Sequence, residues 1–498
     1  MKRTMLLMAL SLVPAAMAAA QARENDKSDV RRSVVKVFAT QRWPDLLRPW
    51  RKQTPERVFG SGVVIGDRKI VCNAHLVAYV GKIDQVDQIE VQPFDVAQRF
   101  PAKLVALAQE MDLALLEVAA PAFRQPAARM AGALPKVNDR VSTYGFSAGG
   151  FGLATTQGVV SRIEYGTLGL RIAVTAAPNP GFSGGPAVVG DTMVGMVFGI
   201  AVPGQNVGYL IPVEEIQAFL KDSADGVYDG RLKLLDDLQS LENEALRVKL
   251  GLAPNTTGVL VRDPYGSDPA YPLKKGDVIT RIGDQEIDNL GMVRIEEDLR
   301  LPFLYLVPKL AHEDRVGLTV LRGGETKDVV LPLKRKQDSV MRGLEGAYPS
   351  YFVFGPLVFS AASEELVNGL APYLSEAWSL RNSPLIRRRS DRPAFPDEQL
   401  VVVTSVLEDN SMKGYDNPAG QVVRRLNGKP VRNLRHLVEM LRDGKEQYVE
   451  VEFAEKYVET LVFDRQKVLQ AWKRLLRENG ISEPASADLR DVWQPEGL

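Results

Sequence analysis

Between residues 33 and about 222 the chain is written in short apolar runs that alternate with polar positions and are broken by glycine and polar punctuation. The runs at 34–38, 62–65, 88–91, 113–118, 140–144, 158–163, 172–174 and 193–200 predict strands. Many short strands with few helical patterns point to a β-barrel or sandwich. After Pro212 the period changes: Val213, Ile216, Phe219 and Leu220 fall on one helical face, and proline is well placed at a helix start. That helix is expected to close a first domain spanning 30–225.

From 230 onward the pattern is different. An apolar run at 258–261 is followed by the stretch 273–287, in which a Gly-Asp turn leads into an alternating strand and then a second tight turn, predicting a β-hairpin unit. A weaker copy stands at 421–431, followed by a helical pattern at 434–441. Two related modules are therefore expected, at 230–336 and 349–465, joined by a linker at 337–348 and followed by a helical extension at 466–498. The apolar run 351–359 is too short to cross a membrane, which takes about 20 apolar residues, and predicts a buried strand opening the last module. The basic run at 387–389, near prolines at 393 and 396, reads as a solvated linker or surface loop, with a basic docking patch as the alternative.

The front of the chain changes the picture of where it works. Met1-Lys2-Arg3, an apolar stretch over 5–13, Pro14 and an alanine-rich run predict a cleavable secretory signal at 1–22. The mature protein is expected to be exported to the periplasm, or secreted beyond it, with no membrane span. Its 498 residues suffice for about three domains. Lys plus Arg equal Asp plus Glu at 62 each, which argues against nucleic acid as a partner. One cysteine excludes an intramolecular disulfide, and the three histidines are too scattered for a metal motif, so neither metal nor cofactor is expected.

Scarcity of histidine sharpens the search for chemistry. In Gly181-Phe182-Ser183-Gly184-Gly185-Pro186, glycines around a serine allow the hydroxyl to project while neighbouring N–H groups converge, the requirement for an oxyanion hole. Gly181 and Ser183 are the expected N–H donors. Serine needs a base, and His75, after the strand-like run 69–71, is the one histidine in the same domain. Asp112, just before the apolar run 113–118, is the candidate that fixes the imidazole tautomer. Each residue taken alone also fits a bland role: a glycine-rich turn, an ordinary histidine, a turn aspartate. The order His75, Asp112, Ser183 is that of the chymotrypsin-like proteases.

Asn73-Ala74-His75, Asp112-Leu113-Ala114-Leu115-Leu116, the Ser183 hexapeptide and the stretch 206–212 together resemble the HtrA/Deg serine endopeptidases, most closely the plant-type branch with two PDZ domains. The resemblance implies a mainly β fold, with a chymotrypsin-like double β-barrel protease domain followed by two PDZ-like α+β domains. It also implies ATP-independent cleavage of unfolded or damaged polypeptides by a homo-oligomer, a trimer or a multiple of trimers. Substrate contacts are expected at Phe198, Gly199 and Ile200, and a PDZ peptide-binding loop at Leu234, Leu235 and Asp236.

Three positions depart from the family pattern. Phe182 stands where the family has Asn, Cys72 where it has Thr, and Leu235 where its PDZ loop has glycine. Cys72, three residues from His75 and without a glycine turn, reads as a small buried hydrophobe rather than a nucleophile. Two other classes stay open at this stage: a catalytically silent protease-fold chaperone, and a PDZ-based interaction protein.

Overall fold

A computed structural model describes residues 30–78, 89–147, 152–200 and 207–493. The expected signal at 1–22 lies outside the described residues. The chain forms two compact units, one made of Met1–Gln41 and Arg57–Lys336, the other of Arg42–Glu56 and Gln337–Leu498.

The first unit begins with strands β1 (Val34–Gln41), β2 (Glu56–Gly66), β3 (Lys69–Cys72), β4 (Ile89–Pro93), β5 (Phe100–Pro101), β6 (Lys103–Ala108) and β7 (Leu113–Glu117). They hydrogen-bond in the order β5-β4-β1-β2-β3-β7-β6. The edge strands β5 and β6 are separated in sequence by Ala102 alone, so the sheet must roll round to bring its edges together. Alternation along β1 turns Val35, Val37 and Ala39 inward, against Ile70, Val91, Phe100 and Leu116. Phe100 meets Phe123 edge-on at 5.5 Å, an arrangement worth about 0.5–1.5 kcal/mol beyond the buried area.

The next strands, β8 (Arg140–Phe146), β9 (Leu153–Gly166), β10 (Gly169–Val174), β11 (Pro186–Val189), β12 (Thr192–Ile200) and β13 (Gly208–Pro212), form a closed barrel in the order β10-β13-β12-β11-β8-β9. Val141, Val160, Ile172, Phe182, Val197 and Leu210 fill it. A further cluster joins the two halves, with Val63, Val71 and Leu115 from the first and Val188, Met196 and Ile211 from the second. The expected helix runs over Val213–Asp222 directly after Pro212, and its buried Val213, Ile216 and Phe219 seal this junction.

Still in the first unit, Asp237–Ser240, Val259–Asp263, Val278–Ile282, Arg315–Arg322 and Glu325–Pro332 lie side by side in one antiparallel sheet. The hairpin expected in 273–287 is Val278–Ile282 paired with Gln285–Glu286. Leu301 and Tyr305 of this module pack on Leu170 of the barrel, and the Tyr305 hydroxyl donates to Glu214 at 3.0 Å.

The second unit has the sheet order Tyr351–Phe354, Leu357–Ala361, Val401–Val406, Val422–Leu426, Tyr448–Phe453, Leu461–Asp464. The single strand expected over 351–359 is a hairpin, because Gly355 at φ +56° lets the chain reverse. The expected linker 337–348 joins this core through Val340 and Met341, buried beside Leu366 and Trp378, while most of its other residues are exposed. The helix Arg465–Glu478 is no extension, since Val468 and Trp472 sit in the core with Phe352 and Phe354. The module is thus longer at both ends than its sequence pattern suggested. The stretch Arg42–Glu56, which leaves the chain between β1 and β2, belongs to this unit: Trp50 lies against Tyr351, and Arg51 donates to the Asn479 carbonyl at 2.9 Å.

Candidate active site

His75 sits on the short helix Ala74–Val77 that follows β3, with Asn73 extended at its N-cap. Asp112 follows the 3₁₀ turn Gln109–Met111 and leads into β7. Because β3 and β7 are paired, with Cys72 opposite Ala114, residues just beyond the ends of both strands meet. Asp112 adopts the left-handed conformation, φ 57°, ψ 44°, which aspartate tolerates better than most non-glycine residues. Its carbonyl accepts from Asn73 Nδ2 at 3.1 Å.

The carboxylate grips His75 twice. Oδ1 accepts the His75 backbone N–H at 2.8 Å, and Oδ2 lies 2.8 Å from His75 Nδ1. An Nδ1–H donated to a carboxylate leaves Nε2 as the acceptor, the tautomer a general base requires. The His75 side chain is 47% exposed and that of Asp112 12%, so the imidazole faces outward from a largely buried acid. Gln41 Nε2 also donates to the His75 carbonyl at 2.6 Å.

Ser183 lies on the turn between β10 and β11. Gly181 at φ +96° and Gly184 at φ +87° occupy the region glycine alone enters freely. Within this turn the Phe182 N–H donates to the Asn179 carbonyl (3.0 Å), the Gly184 N–H to Val197 (2.9 Å) and the Gly185 N–H to Phe182 (2.8 Å). The N–H groups of Gly181 and Ser183 donate to no acceptor among the described residues. They are the two that sequence reasoning selects as oxyanion donors. The Ser183 hydroxyl makes no hydrogen bond to His75 among the described residues, so the structure joins His75 to Asp112 and leaves the nucleophile candidate unpaired.

The departures noted in the sequence find physical accounts. Phe182 is fully buried in the barrel core, and a side chain at Gly145 would strike its Cα at 2.6 Å. Cys72 is fully buried; burial first, and the Asp112 carboxylate second, push its thiol well up, which keeps it from acting as a thiolate.

Phe198 and Gly199 lie near the end of β12, where the register with β13 shifts between Val197 and Gly199. Phe198 is half-buried with the Arg171 guanidinium 5.0 Å from its ring centre, and the space beside Gly199 is open. Ile200 pairs with Gly208. Leu234 and Leu235 are half-buried. Asp236 is buried and spends its carboxylate inside its own module, accepting the Tyr265 N–H at 2.9 Å and the Tyr271 hydroxyl at 3.1 Å.

Sequence reasoning missed three groups around this site. Glu110 accepts from the Tyr228 hydroxyl and the Arg231 N–H and pairs with Lys233, all on the segment after the closing helix. Arg171, buried in β10, donates to the Leu170 carbonyl at 2.8 Å and the Met111 carbonyl at 3.4 Å. Burial draws its guanidinium down to about 10 against the pull of Glu215. Ser61, between two glycines on β2, was the one with a readable signal: a small polar residue inside an apolar strand.

Residues 60–200 match the trypsin-like peptidase domain, and residues 341–488 match the PDZ domain. One PDZ domain is matched where two were expected, and it is the C-terminal module, whose sequence pattern is the weaker copy. Protease Do-like 2, chloroplastic, of Arabidopsis thaliana is 34% identical over 474 residues, covering 93% of this chain and 76% of that protein. Protease Do-like 4, mitochondrial, of the same plant is 33% identical over 420 residues, covering 82% of this chain and 76% of that protein. A solved HtrA-type protease, AlgW with a tripeptide, is 24% identical with a TM-score of 0.49, over 63% of this chain and 97% of that one. A third of the residues shared along nearly the whole chain, over a trypsin-like and a PDZ domain, is a family relationship: this chain belongs to the HtrA/Deg family of Do-like proteases and is a serine endopeptidase.

Proposed function

We propose that Ser183 is the nucleophile, His75 the general base and acid, and Asp112 the residue that orients His75 and stabilises its charged form, in ATP-independent hydrolysis of unfolded or damaged polypeptides. His75 Nε2 takes the Ser183 proton as Oγ attacks the peptide carbonyl carbon, and the oxygen that becomes negative is met by the N–H groups of Gly181 and Ser183. The C–N bond then breaks, the departing amine receives the proton from His75, and water, activated by the same imidazole, releases the acyl group. The carrying observation is that the Gly181 and Ser183 N–H groups are left without acceptors among the described residues, whereas the N–H groups of Phe182, Gly184 and Gly185 beside them are all bonded. The double grip of Asp112 on His75 supports the same reading.

The module at 230–336 is proposed as a second PDZ domain, by its hairpin pattern and the strand Asp237–Ser240 at the edge of its sheet, where an extended peptide adds as a strand. Assembly into trimers or their multiples is proposed on the family likeness alone. Export to the periplasm rests on the pattern of residues 1–22 alone. No helix among the described residues is long and apolar enough to cross a membrane.

The test compares the mature protein with Ser183→Ala on casein without ATP or added metal. Peptide release by the parent and none by the variant is expected. No release by either, with both suppressing aggregation of an unfolded client, turns the reading toward a chaperone.

A further inference from the structure

Oxyanion stabilisation depends on where two N–H groups point, and Gly181, Gly184 and Gly185 leave the peptide planes of this turn free to rotate unless something fixes them. Ser61 of β2 holds the carbonyls on either side of Phe182. Its hydroxyl donates to the Gly181 carbonyl at 2.8 Å, and its backbone N–H donates to the Ser183 carbonyl at 2.8 Å. The hydroxyl also accepts the Phe146 N–H at 3.0 Å, so its single proton is committed to Gly181. Ser61 is fully buried, and a side chain at Gly184 would come within 2.0 Å of the Ser61 carbonyl oxygen.

We propose that Ser61 is a positioning residue for the oxyanion hole: its hydroxyl fixes the Gly181–Phe182 peptide and thereby aims the Gly181 and Ser183 N–H groups at the developing oxyanion. With the Phe182 N–H held by Asn179, that peptide is pinned at both ends, and Ser61 supplies the end that arrives from the other half of the fold. The inference rests on the catalytic reading given above, and it assigns Ser61 no contact with substrate.

The test measures kcat and KM on a chromogenic peptide, per active site titrated to its endpoint with a fluorophosphonate, for the parent, Ser183→Ala, Ser61→Ala and Ser61→Thr. Removing one oxyanion donor outright costs about 10²–10³ in kcat, so misaiming the pair in Ser61→Ala should lower kcat per titrated site by roughly tenfold or more with KM within about twofold. The rate of fluorophosphonate labelling, which also builds a tetrahedral centre on Ser183, should fall in parallel. Ser61→Thr, which keeps the hydroxyl, should recover most of both.

A merely structural role would lower the titrated fraction and leave kcat per site unchanged, and that result overturns the proposal. Equal losses in Ser61→Ala and Ser61→Thr overturn it as well. Should Ser61→Ala fail to fold, Ser61→Cys keeps the same branching, in a slightly larger side chain, with a weaker donor; a loss in kcat per site is expected there, and none overturns the proposal. If Ser183→Ala still cleaves, or the parent neither cleaves nor labels, the catalytic reading falls and takes the positioning role with it. If Ser183→Ala is dead while Ser61→Ala matches the parent, the positioning role alone falls.

Discussion

The turn that presents Asp112 and the turn that presents Ser183 solve one problem by different physics. The acid's turn is held by side chains: Glu110 bonded to Tyr228, Arg231 and Lys233, the Met111 carbonyl to Arg171, and the Asp112 carbonyl to Asn73. The Ser183 turn is held by backbone bonds, glycines with positive φ, the fully buried Phe182 ring and one side-chain tie from inside the fold, the buried Ser61 hydroxyl. Side-chain ties reach outward, so the segment 228–233, which runs on into the next module, touches the acid's turn. Core packing and close backbone approach insulate the serine's turn from surface change. The difference teaches that, in the first unit, the segment leading into the next module is bonded to the turn carrying Asp112, while no hydrogen bond among the described residues ties it to the turn carrying Ser183.

The sharpest way to test the acid's side of this comparison is Asp112→Asn. The amide keeps the shape, so the fold should be retained, but it has an N–H₂ where a carboxylate accepted Nδ1–H, which favours the wrong imidazole tautomer. A fall in kcat on the order of 10⁴ is expected, with the thermal midpoint within a few degrees of the parent. A loss of less than tenfold would show that the turn's hold on Asp112 serves structure alone.

Phe182→Ala acts on the other turn through a different quantity. A fully buried phenylalanine in the barrel core, close against Gly145, should cost about 3–5 kcal/mol of stability when truncated, from lost transfer energy and the cavity left behind. Urea unfolding reads this directly. A cost under about 1 kcal/mol would break the contrast, since a core substitution of that size is normally far more damaging.

Much of this was legible in the chain. The alternation at 34–38 and 140–144 marks strands because a half-buried sheet imposes period two, and the continuous apolar run from 113 marks a strand buried on both faces over Leu113–Leu116. His75, Asp112 and Ser183 stand out because residue type, local context and order agree. Ser61 stands out as a polar residue in an apolar strand, but its role was not legible, because its partners Gly181 and Phe146 lie 120 and 85 residues away. The stretch 42–56 has no periodicity to betray that Trp50 belongs with Tyr351 in the other unit. Residues 465–478 show the opposite failure: a clear helical face at a chain end reads as an appendage, whereas Val468 and Trp472 complete a core whose other members come from far upstream.

The smallest expected effect belongs to Glu110→Gln, which loosens the acid's turn from a distance. Burial alone would raise the Glu110 carboxyl, but the Lys233 ammonium, the Arg231 N–H and the Tyr228 hydroxyl outweigh it and hold the group below the ordinary carboxylate range. A folded value lower than the unfolded one, about 4.3, means the unfolded chain binds the proton first. The carboxylate's contribution to stability is therefore full above that pH and is lost as pH falls through the depressed folded value. Since the group is partly open to solvent, the contribution should be no more than about 1 kcal/mol, with a few-fold loss in kcat as the Asp112 turn gains freedom. The variant should melt below the parent by a constant margin from pH 8 to pH 5, and the two should converge on further acidification. A margin that persists at acid pH would mean that Glu110 acts by packing, and the route from segment 228–233 to the acid would not run through its charge.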